Sequence, residues 1–278
     1  MTHEILGNGK RKNKILDTKI VIDLSKEDMT KPERKPTKID TGKDSDIIYV
    51  PSENHMTYFS GLQYLQQTFV AEGNIHPTIT HDGKIIPVAL SLEDILKARI
   101  LGYKNGTTEE EKLKLFNLYF WTGDGIAYKK KTPSEPNPPF KLVKQSNDLG
   151  LLDANKEFVE IDYSKVKGTE LQRDNSYGKL LTEKEVLKHE AWTNLVAKDV
   201  LQEYVPICFK LLKDVYSRTE GMRFWLRNPE EKDTLRSVCV INIDVNSSAG
   251  GSDDLSSSAY FLQVTQAKNF STGSGGKK

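Results

Sequence analysis

The stretch from Ser237 to Leu262, near the C-terminus, contains no Lys, Glu, Gln, Met or Trp, although Lys and Glu crowd the rest of the chain. Its first part, VCVINIDV, alternates apolar and polar residues, which predicts a strand with one buried face. Serines and glycines follow, and AYFLQVTQ then predicts a second strand. The fold must therefore hold two core strands joined by a connection built almost entirely from small polar residues.

The residue types that are absent from this stretch form a coherent set. If both adenines of an asparagine codon of the form A-A-pyrimidine are randomised, the accessible residues include Asn, Asp, Ser, Gly, Ala, Tyr, Val, Ile, Cys, Leu and Phe, and exclude all five absent types. Those accessible types account for every residue from Ser237 to Leu262. An ordinary turn-rich connection would be depleted in the same residues, but it would explain the loop and not the strand.

Three segments carry helix signals. Ser91 can cap LEDILKARILGY, whose first turn is acidic, and Thr107 or Thr108 can cap the segment that starts EEEKL. A capping box at Thr182 begins the strongest helical segment, which continues to DVYS. Because Pro206 lies inside that segment, we expect it to kink or divide the helix.

Strand signals surround the helices. Ile47 to Val50 predicts a strand, and Tyr58 to Val70 fits a strand or a helix equally well. The segments GIAYKKKT, FKLVKQS and KEFVEIDYSKV are separated by turn residues, and GMRFWLRN, TLRSVCVINIDV and AYFLQVTQ follow the long helical segment. Since no internal repeat is present, the sequence predicts one α+β unit of mixed order.

The two ends of the chain differ from the middle. Residues 1–45 are rich in Lys, Asp and Thr, and offer too little apolar surface to offset the entropy of chain ordering. Residues 271–278, STGSGGKK, have the composition of a flexible tail. We therefore expect one domain at 46–270 between two flexible segments.

Charge and hydropathy exclude several classes of partner. The formal net charge of +1 gives no global field that would draw the chain to nucleic acid or to a membrane. No signal peptide and no apolar run of transmembrane length is found, so a cytoplasmic location is the default expectation. Cys208 and Cys239 are flanked by apolar residues, which favours two buried free thiols over one disulfide.

The search for catalytic and metal-binding patterns is negative. His76 and His81 stand close together in HPTITH, but no cysteine or carboxylate lies at ligand spacing. His189 and Glu190 lack the second histidine of a zinc-protease helix. No serine has a nucleophile-elbow context. We therefore predict no catalytic residue, no metal site and no cofactor.

The pattern GMRFWLRNP, TLRSVCV and SSAGGSDDLSSSAYFLQV, between Gly221 and Val264, resembles the C-terminal part of variable proteins of diversity-generating retroelements. The match is best with archaeal members. The resemblance implies an α+β C-type-lectin-like domain, with two or more helices packed on small antiparallel sheets, or its formylglycine-generating-enzyme-like subclass. The Trp-Ile-Gly-Leu and Trp-Asn-Asp elements of animal lectins are absent from the sequence, so calcium-dependent sugar binding is not expected.

The resemblance also implies a function. The expected protein is not an enzyme but a ligand-binding protein, in which adenine-directed mutagenic retrohoming varies a surface at about residues 237–262 on a constant scaffold. Its implied partner is a protein or other macromolecule, bound by a monomer or a small homo-oligomer. The alternatives are a structural or host-recognition protein without diversification, and an enzyme on a formylglycine-generating-type scaffold. The predicted ligand contacts are Asn242, Asp244, Asn246, Ser252, Asp254, Ser256, Ser257, Ser258 and Tyr260.

The residues around this surface are expected to form a framework. Arg223 and Arg236 either tie loops to the body by hydrogen bonds or are solvated. Gly250 and Gly251 are predicted to supply the positive backbone angles of a turn. The predicted core residues are Phe224, Trp225, Leu226, Leu235, Phe261 and Val264.

Overall fold

The computed structural model describes residues 47–68, 75–81, 84–145, 158–245, 247–251 and 253–266. The segments predicted to be flexible lie outside these residues, as do the predicted ligand contacts Asn246 and Ser252. All described residues belong to one compact unit. Within the described ranges, no helix combines the length and apolar composition needed to cross a membrane.

The first half of the domain alternates short strands and helices. Its elements are β1 (Ile47–Pro51), α1 (Tyr58–Thr68), β2 (Thr78–His81), β3 (Lys84–Pro87), α2 (Leu92–Asn105), α3 (Glu109–Leu113), β4 (Phe120–Tyr128) and β5 (Phe140–Val143). The second half follows with β6 (Val159–Glu160), β7 (Thr169–Leu171), α4 (Glu183–Val186), α5 (Glu190–Leu195), α6 (Lys198–Tyr216), β8 (Phe224–Trp225), β9 (Thr234–Val240), β10 (Ala249–Gly250) and β11 (Leu262–Gln266). The segment from Tyr58, which fitted either element, is therefore a helix.

The central sheet has the strand order β7-β5-β4-β9-β10-β8, and β6 also pairs with β9. Its pairs are antiparallel except that β10 and β8 run parallel. The terminal strands β1 and β11 pair antiparallel in a separate two-stranded sheet, and β2 and β3 form a third. This pairing of β1 with β11 brings the two ends of the described domain together.

Strand β4 separates two hydrophobic clusters. All nine of its residues are buried. Phe120 and Ile126 belong to the larger cluster, here called the helical core, which also contains residues of α2, α5 and α6. Trp121 and Ala127 belong to the smaller cluster, here called the α1 core. The alternation of side chains along β4 thus gives the sheet two covered faces.

The predicted helix starts are confirmed, and their contacts show the cause. The hydroxyl of Ser91 accepts a hydrogen bond from the backbone of Asp94 at 3.1 Å. Of the two candidate threonines, Thr108 is the cap of α3 and forms a full capping box with Glu111. The carboxylate of Glu185 accepts the backbone N–H of Thr182 at 2.7 Å. Each side chain replaces an intrahelical partner that the first turn lacks.

The segment that begins at Thr182 is three helices, not one. Helix α6 continues through Pro206, so the segment is not divided at the proline. The breaks come earlier, before α5 and before α6. At the second break the backbone N–H of Ala197 bonds to the carboxylate of Glu93 in α2, at 2.9 Å. The N–H of Ala197 therefore bonds to a side chain of another helix, and not to the main-chain carbonyl that a continuous helix would offer.

Arg99 of α2 is fully buried and central to the helical core. Its guanidinium carbon lies 5.5 Å from the ring centroid of Phe116 and 5.9 Å from that of Phe120. Its five N–H donors reach five uncharged oxygen atoms, at 2.9 to 3.3 Å, which matches the full donor capacity of arginine. The acceptors are the backbone oxygens of Leu115, Leu118 and Ile241 and the hydroxyls of Tyr204 and Ser247.

Asp124 is a second buried charge-bearing residue, placed where the β4–β9 register shifts. Its carboxylate accepts the backbone N–H of Leu92, the first residue of α2, at 2.6 Å. It also accepts the backbone N–H of Gln145, just after β5, at 2.9 Å. Burial outweighs these hydrogen bonds and raises the pKa of Asp124 to about 6.

We predict that replacing Arg99 by methionine lowers the free energy of unfolding by about 3 kcal/mol or more, because several buried acceptors lose their donor. Urea denaturation followed by tryptophan fluorescence measures the change. The matched control is Lys97→Met on the same helix. Lys97 forms a half-exposed ion pair with Glu93, so its loss is expected to cost less than about 1 kcal/mol. Equal effects of the two variants would contradict the role given to Arg99.

We predict a pH dependence from Asp124. Because its folded pKa lies above that of the unfolded chain, the folded state holds the extra proton between about pH 4 and pH 6, and stability from this group falls as the pH rises through that range. The expected change between pH 4 and pH 7 is roughly 2 kcal/mol. It is measured as the difference in unfolding free energy between the wild type and Asp124→Asn at pH 4 and at pH 7. A difference that does not change with pH would count against it.

Candidate binding surface

Strand β9 ends at Val240, where the chain turns instead of continuing to Val245. The backbone N–H of Ile241 donates to Ser248 at 2.8 Å, and that of Ile243 donates to Phe116 at 2.8 Å. The Ile243 side chain is fully buried in the helical core. The predicted alternation through Val245 is therefore wrong, because these donors bond to a returning loop and to the segment before β4. A short 3-10 turn at Ile243–Val245 replaces the last part of the predicted strand.

The predicted ligand contacts fall into three groups. Asp244 and the serines at 256, 257 and 258 are exposed, while Asn242 and Tyr260 are half-buried. Asp254 is half-buried and belongs to an ion-pair network. The structure thus places most of the described contacts at the surface, and their binding of a ligand stays a prediction.

Asp254 is held by two arginines. Its Oδ1 accepts a hydrogen bond from Nη1 of Arg236 at 2.6 Å and lies 3.4 Å from Nη1 of Arg227. The Arg236 side chain is fully buried in β9, and its Nη2 also lies 3.0 Å from a carboxylate oxygen of Glu230. The sequence left Arg236 either solvated or hydrogen-bonded to a loop. The structure shows that Arg236 ties a loop to the body of the domain. Asp254 therefore anchors the loop that carries the serines.

The loop is fixed on both sides of its exposed serines. Before them, Leu255 is buried in the α1 core, and its carbonyl accepts the backbone N–H of Tyr58 at 2.9 Å. After them, Ala259 exchanges two backbone hydrogen bonds with Met56, at 2.8 and 3.0 Å. Phe261 is fully buried and donates its N–H to the hydroxyl of Ser52 at 3.0 Å. The exposed side chains thus stand on a backbone that other residues hold.

Two residues outside the predicted window join this surface. The ring of His55 lies 4.1 Å from the ring of Tyr260, edge to face. The carbonyl of Tyr119 accepts the backbone N–H of Tyr260 at 2.9 Å. Neither residue carries a local sequence signal for this position, because the contacts depend on the pairing of distant segments.

Several framework residues confirm the predicted core and one does not. Phe224, Leu235, Phe261 and Val264 are buried, and Leu226 is partly buried against the helical core. Trp225 is half-exposed, and the prediction of a core position is wrong for it. It follows the buried Phe224 in β8 and so points to the other side, where the guanidinium of Arg223 lies 5.0 Å from its ring centroid.

Gly250 and Gly251 serve close packing and not a turn. Gly250 lies in β10 with a φ of 159°, close to extended backbone, and Gly251 has no positive φ. A Cβ atom on Gly250 would lie 2.3 Å from the backbone oxygen of Trp225. One on Gly251 would lie 2.9 Å from the Ile126 side chain. The parallel pairing of β10 with β8 therefore excludes larger residues at Gly250.

The histidines and cysteines do not assemble a metal site among the described residues. His76 is buried, and its Nε2 lies 2.7 Å from the carbonyl oxygen of Val88, while its Nδ1 accepts the N–H of Val264 at 3.3 Å. Burial lowers the pKa of His76, which agrees with a neutral ring. Cys208 and Cys239 are buried and free, as predicted.

Among solved structures, the chain is similar to one from Nanoarchaeota, described as the accommodation of massive sequence variation by the C-type lectin fold. The two chains share 14% sequence identity with a TM-score of 0.51, and the match covers 80% of this chain and 99% of the other. This protein has a C-type lectin fold. No protein-family model and no curated protein matches the chain.

In this C-type lectin fold the candidate surface is formed by the loops that follow β9 and β10, together with the residues that precede α1 and β4. Burial raises the pKa of the half-buried Asp253 carboxyl in one of these loops, and the neighbouring Asp254 raises it further. Burial also raises the pKa of the Tyr119 phenol, to which Asp244 and Asp253 add.

We predict that Asp254→Ala lowers the free energy of unfolding by about 2 kcal/mol, because the buried Arg236 loses a charged partner. The predicted loss is below that for a fully buried pair because the Asp254 side chain is 28% exposed. Asp214→Ala on α6 is the control, since its pair with Lys210 is exposed and should contribute about 0.5 kcal/mol or less. Chemical denaturation of both variants provides the comparison. An equal loss of unfolding free energy in Asp254→Ala and Asp214→Ala would contradict the anchoring role of Asp254.

Proposed function

We propose that this chain is a ligand-binding protein whose surface at about residues 237–262 is diversified on a constant C-type lectin scaffold by adenine-directed mutagenic retrohoming. The observation that carries the proposal is that different residues of this window support the loop and face the solvent. Its buried residues and backbone hydrogen bonds hold the loop, while its exposed side chains are small and polar. Such a surface can change its side chains without changing its backbone.

The held backbone supports the proposal. The hydrogen bonds of Ile241, Ile243, Leu255 and Ala259 use main-chain atoms, and every residue type except proline provides the same donor and acceptor. Substitution at Ser256, Ser257 or Ser258 therefore removes no described side-chain contact that fixes the loop. A scaffold of this kind tolerates sequence variation where it is exposed.

The composition of the surface also suits binding to varied targets. Tyrosine supplies a rigid amphipathic contact, while serine, asparagine and aspartate supply hydrogen bonds at little cost in side-chain entropy. The half-buried Tyr260, with His55 against its ring, provides such a contact beside the exposed serines. The partner that fits this composition is a protein or other macromolecule.

The chemistry of the cysteines favours binding over the enzyme alternative. Burial raises the pKa of the Cys208 thiol to about 12 and raises that of Cys239 as well. The thiolate is the reactive form of cysteine, and both residues are held as thiols at neutral pH. An oxidase of the formylglycine-generating type would need cysteines of the opposite character.

We predict that randomising the exposed positions leaves the fold intact. In a displayed library that varies the exposed residues Asp244, Ser256, Ser257 and Ser258, most members should melt within about 5 °C of the parent. A control library that varies Leu255, Ala259 and Phe261 should mostly unfold, because these side chains fill the α1 core. Panning the first library on a panel of unrelated proteins should yield binders. Equal losses in both libraries, or no binder from the first, would overturn the binding proposal.

The nucleotide sequence of the locus tests the diversification mechanism separately. We expect a near-identical noncoding repeat nearby, differences from it confined to adenine positions in codons 237–262, and a reverse transcriptase gene. A locus without these features, together with successful panning, would indicate a binding protein that is not diversified.

A further inference from the structure

We infer that Arg223 and Trp225 form a constant subsite of the binding surface, here called the Arg223 subsite, which takes a carboxylate of the partner, the side chain of an aspartate or a glutamate. The inference rests on the proposed binding function and adds the chemistry of the partner. Both residues precede the window at 237–262, so the proposed mechanism would leave them unchanged.

Arg223 and Trp225 lie on the same side of the chain. Phe224, between them, is fully buried in the helical core, so its two neighbours point to the opposite side. The guanidinium carbon of Arg223 lies 5.0 Å from the centroid of the Trp225 ring. This distance is within the range of a cation–π contact, which stabilises the position of the guanidinium without supplying a hydrogen-bond acceptor to it.

The backbone of both residues is hydrogen-bonded to the window. The N–H of Ala249 donates to the carbonyl of Arg223 at 3.0 Å, and the N–H of Gly251 donates to the carbonyl of Trp225 at 3.2 Å. The pair therefore lies directly beside β10, on β8 and the residue before it, at the outer end of the central sheet. Since these bonds join main-chain atoms, they do not depend on which side chains the window carries.

Two glycines allow the Trp225 side chain to pack closely. A Cβ atom on Gly250 would lie 2.6 Å from the Cβ of Trp225, and one on Gly178 would lie 3.7 Å from two atoms of its ring. The φ of Gly178 is 79°, in the left-handed region that favours glycine. Trp225 is thus packed against two backbone segments, and its half-exposed ring supports the guanidinium at the surface.

The Arg223 guanidinium carries a positive charge without an acceptor. Within the described ranges it forms no hydrogen bond and no ion pair. Its Nε is buried, while the side chain as a whole is only half-buried, so Nη1 and Nη2 form the end that a partner can reach. A partly desolvated cation without an acceptor costs free energy, and a carboxylate bound at that end would reduce the cost.

The other arginines show that this lack of an acceptor is specific to Arg223. Within the described part of the chain, every other arginine donates to an oxygen atom of the protein. These residues are Arg99, Arg173, Arg218, Arg227 and Arg236. They support packing or anchor loops, whereas the donors of Arg223 remain available to a partner.

A carboxylate matches the chemistry of this site. The planar fork of a guanidinium can donate two parallel hydrogen bonds to the two oxygens of a carboxylate. One guanidinium also balances the single negative charge of a carboxylate, whereas a phosphate group carries up to two. The Arg223 subsite would therefore give a surface with varied serines one recurrent preference, for partners that present an acidic side chain.

The test is an NMR titration of the full chain with N-acetyl-glutamate methylamide. The uncharged N-acetyl-glutamine methylamide is the matched probe, and inorganic phosphate is the third. We expect saturable shifts of the Arg223 Nε–H and the Trp225 indole N–H with the glutamate probe, and much smaller shifts with the other two. Arg223→Gln, followed at the indole N–H, should weaken the glutamate probe about tenfold, since charge-assisted hydrogen bonds are lost. Arg223→Lys should weaken it about threefold, since lysine lacks the planar fork.

Trp225 is a positioning residue, because it acts on the carboxylate through Arg223. Trp225→Leu, followed at the Arg223 Nε–H, should weaken the glutamate probe about threefold. Trp225→Phe keeps an aromatic face and should restore most of the affinity. Equal affinities of these two variants would contradict the positioning role.

Lys210→Gln on α6 is the control, because it also removes one positive charge from an exposed side chain and should leave the titration unchanged. The inference is overturned if the glutamine probe or phosphate shifts the two N–H groups as strongly as the glutamate probe does, or if the glutamate probe shifts neither. It is also overturned if Arg223→Gln binds as the wild type does, or if Lys210→Gln weakens binding equally.

These outcomes are separate from the fate of the proposed function. A library that yields binders on a scaffold that does not respond to the glutamate probe would keep the binding function and remove the Arg223 subsite. A response to the glutamate probe without any binder from the library would keep the subsite and remove the binding function.

Discussion

The buried guanidinium of Arg99 is the interaction on which the candidate surface depends. Its donors join α2 to the segment before β4, to Tyr204 of α6 and to the loop after β9. The acceptors Ile241 and Ser247 belong to the window, while the arginine itself lies far from it in the sequence. One charged group thus fixes the base of a loop through the main-chain carbonyl of Ile241, which any residue type would supply, and through the hydroxyl of Ser247.

The same principle recurs at the next loop. Arg236, buried in β9, holds Asp254 through a charged hydrogen bond, and the backbone of the following loop is tied to the segment before α1. Buried basic side chains in rigid elements therefore position both loops from below. Side chains at the top of the loops, such as Ser257, carry no part of this support. The residues that anchor the loops are consequently different from the exposed serines at their surface.

Local patterns predicted much of the fold because their causes are local. The caps at Ser91 and Thr108 depend on residues three positions away, so sequence spacing is enough to find them. The end of β9 at Val240, the exposure of Trp225 and the burial of Arg99 depend on distant partners. The resemblance and the composition predict a candidate surface, which stays a prediction. His55 and Tyr119 join that candidate surface only through tertiary pairing, which leaves no signal in either segment.

If the window is diversified as we propose, the anchoring of Asp254 would limit how many stable variants the gene could encode. Asp254 lies within the window, and a randomised codon there would replace it with residues that cannot pair with the buried Arg236. Members of the repertoire that lose this carboxylate would begin with a less stable scaffold, whatever their exposed side chains recognise. Selection for a folded protein would then restore aspartate at one position of an otherwise variable loop. Position 254 would therefore be an invariant aspartate among variants that differ at the exposed positions of the same loop.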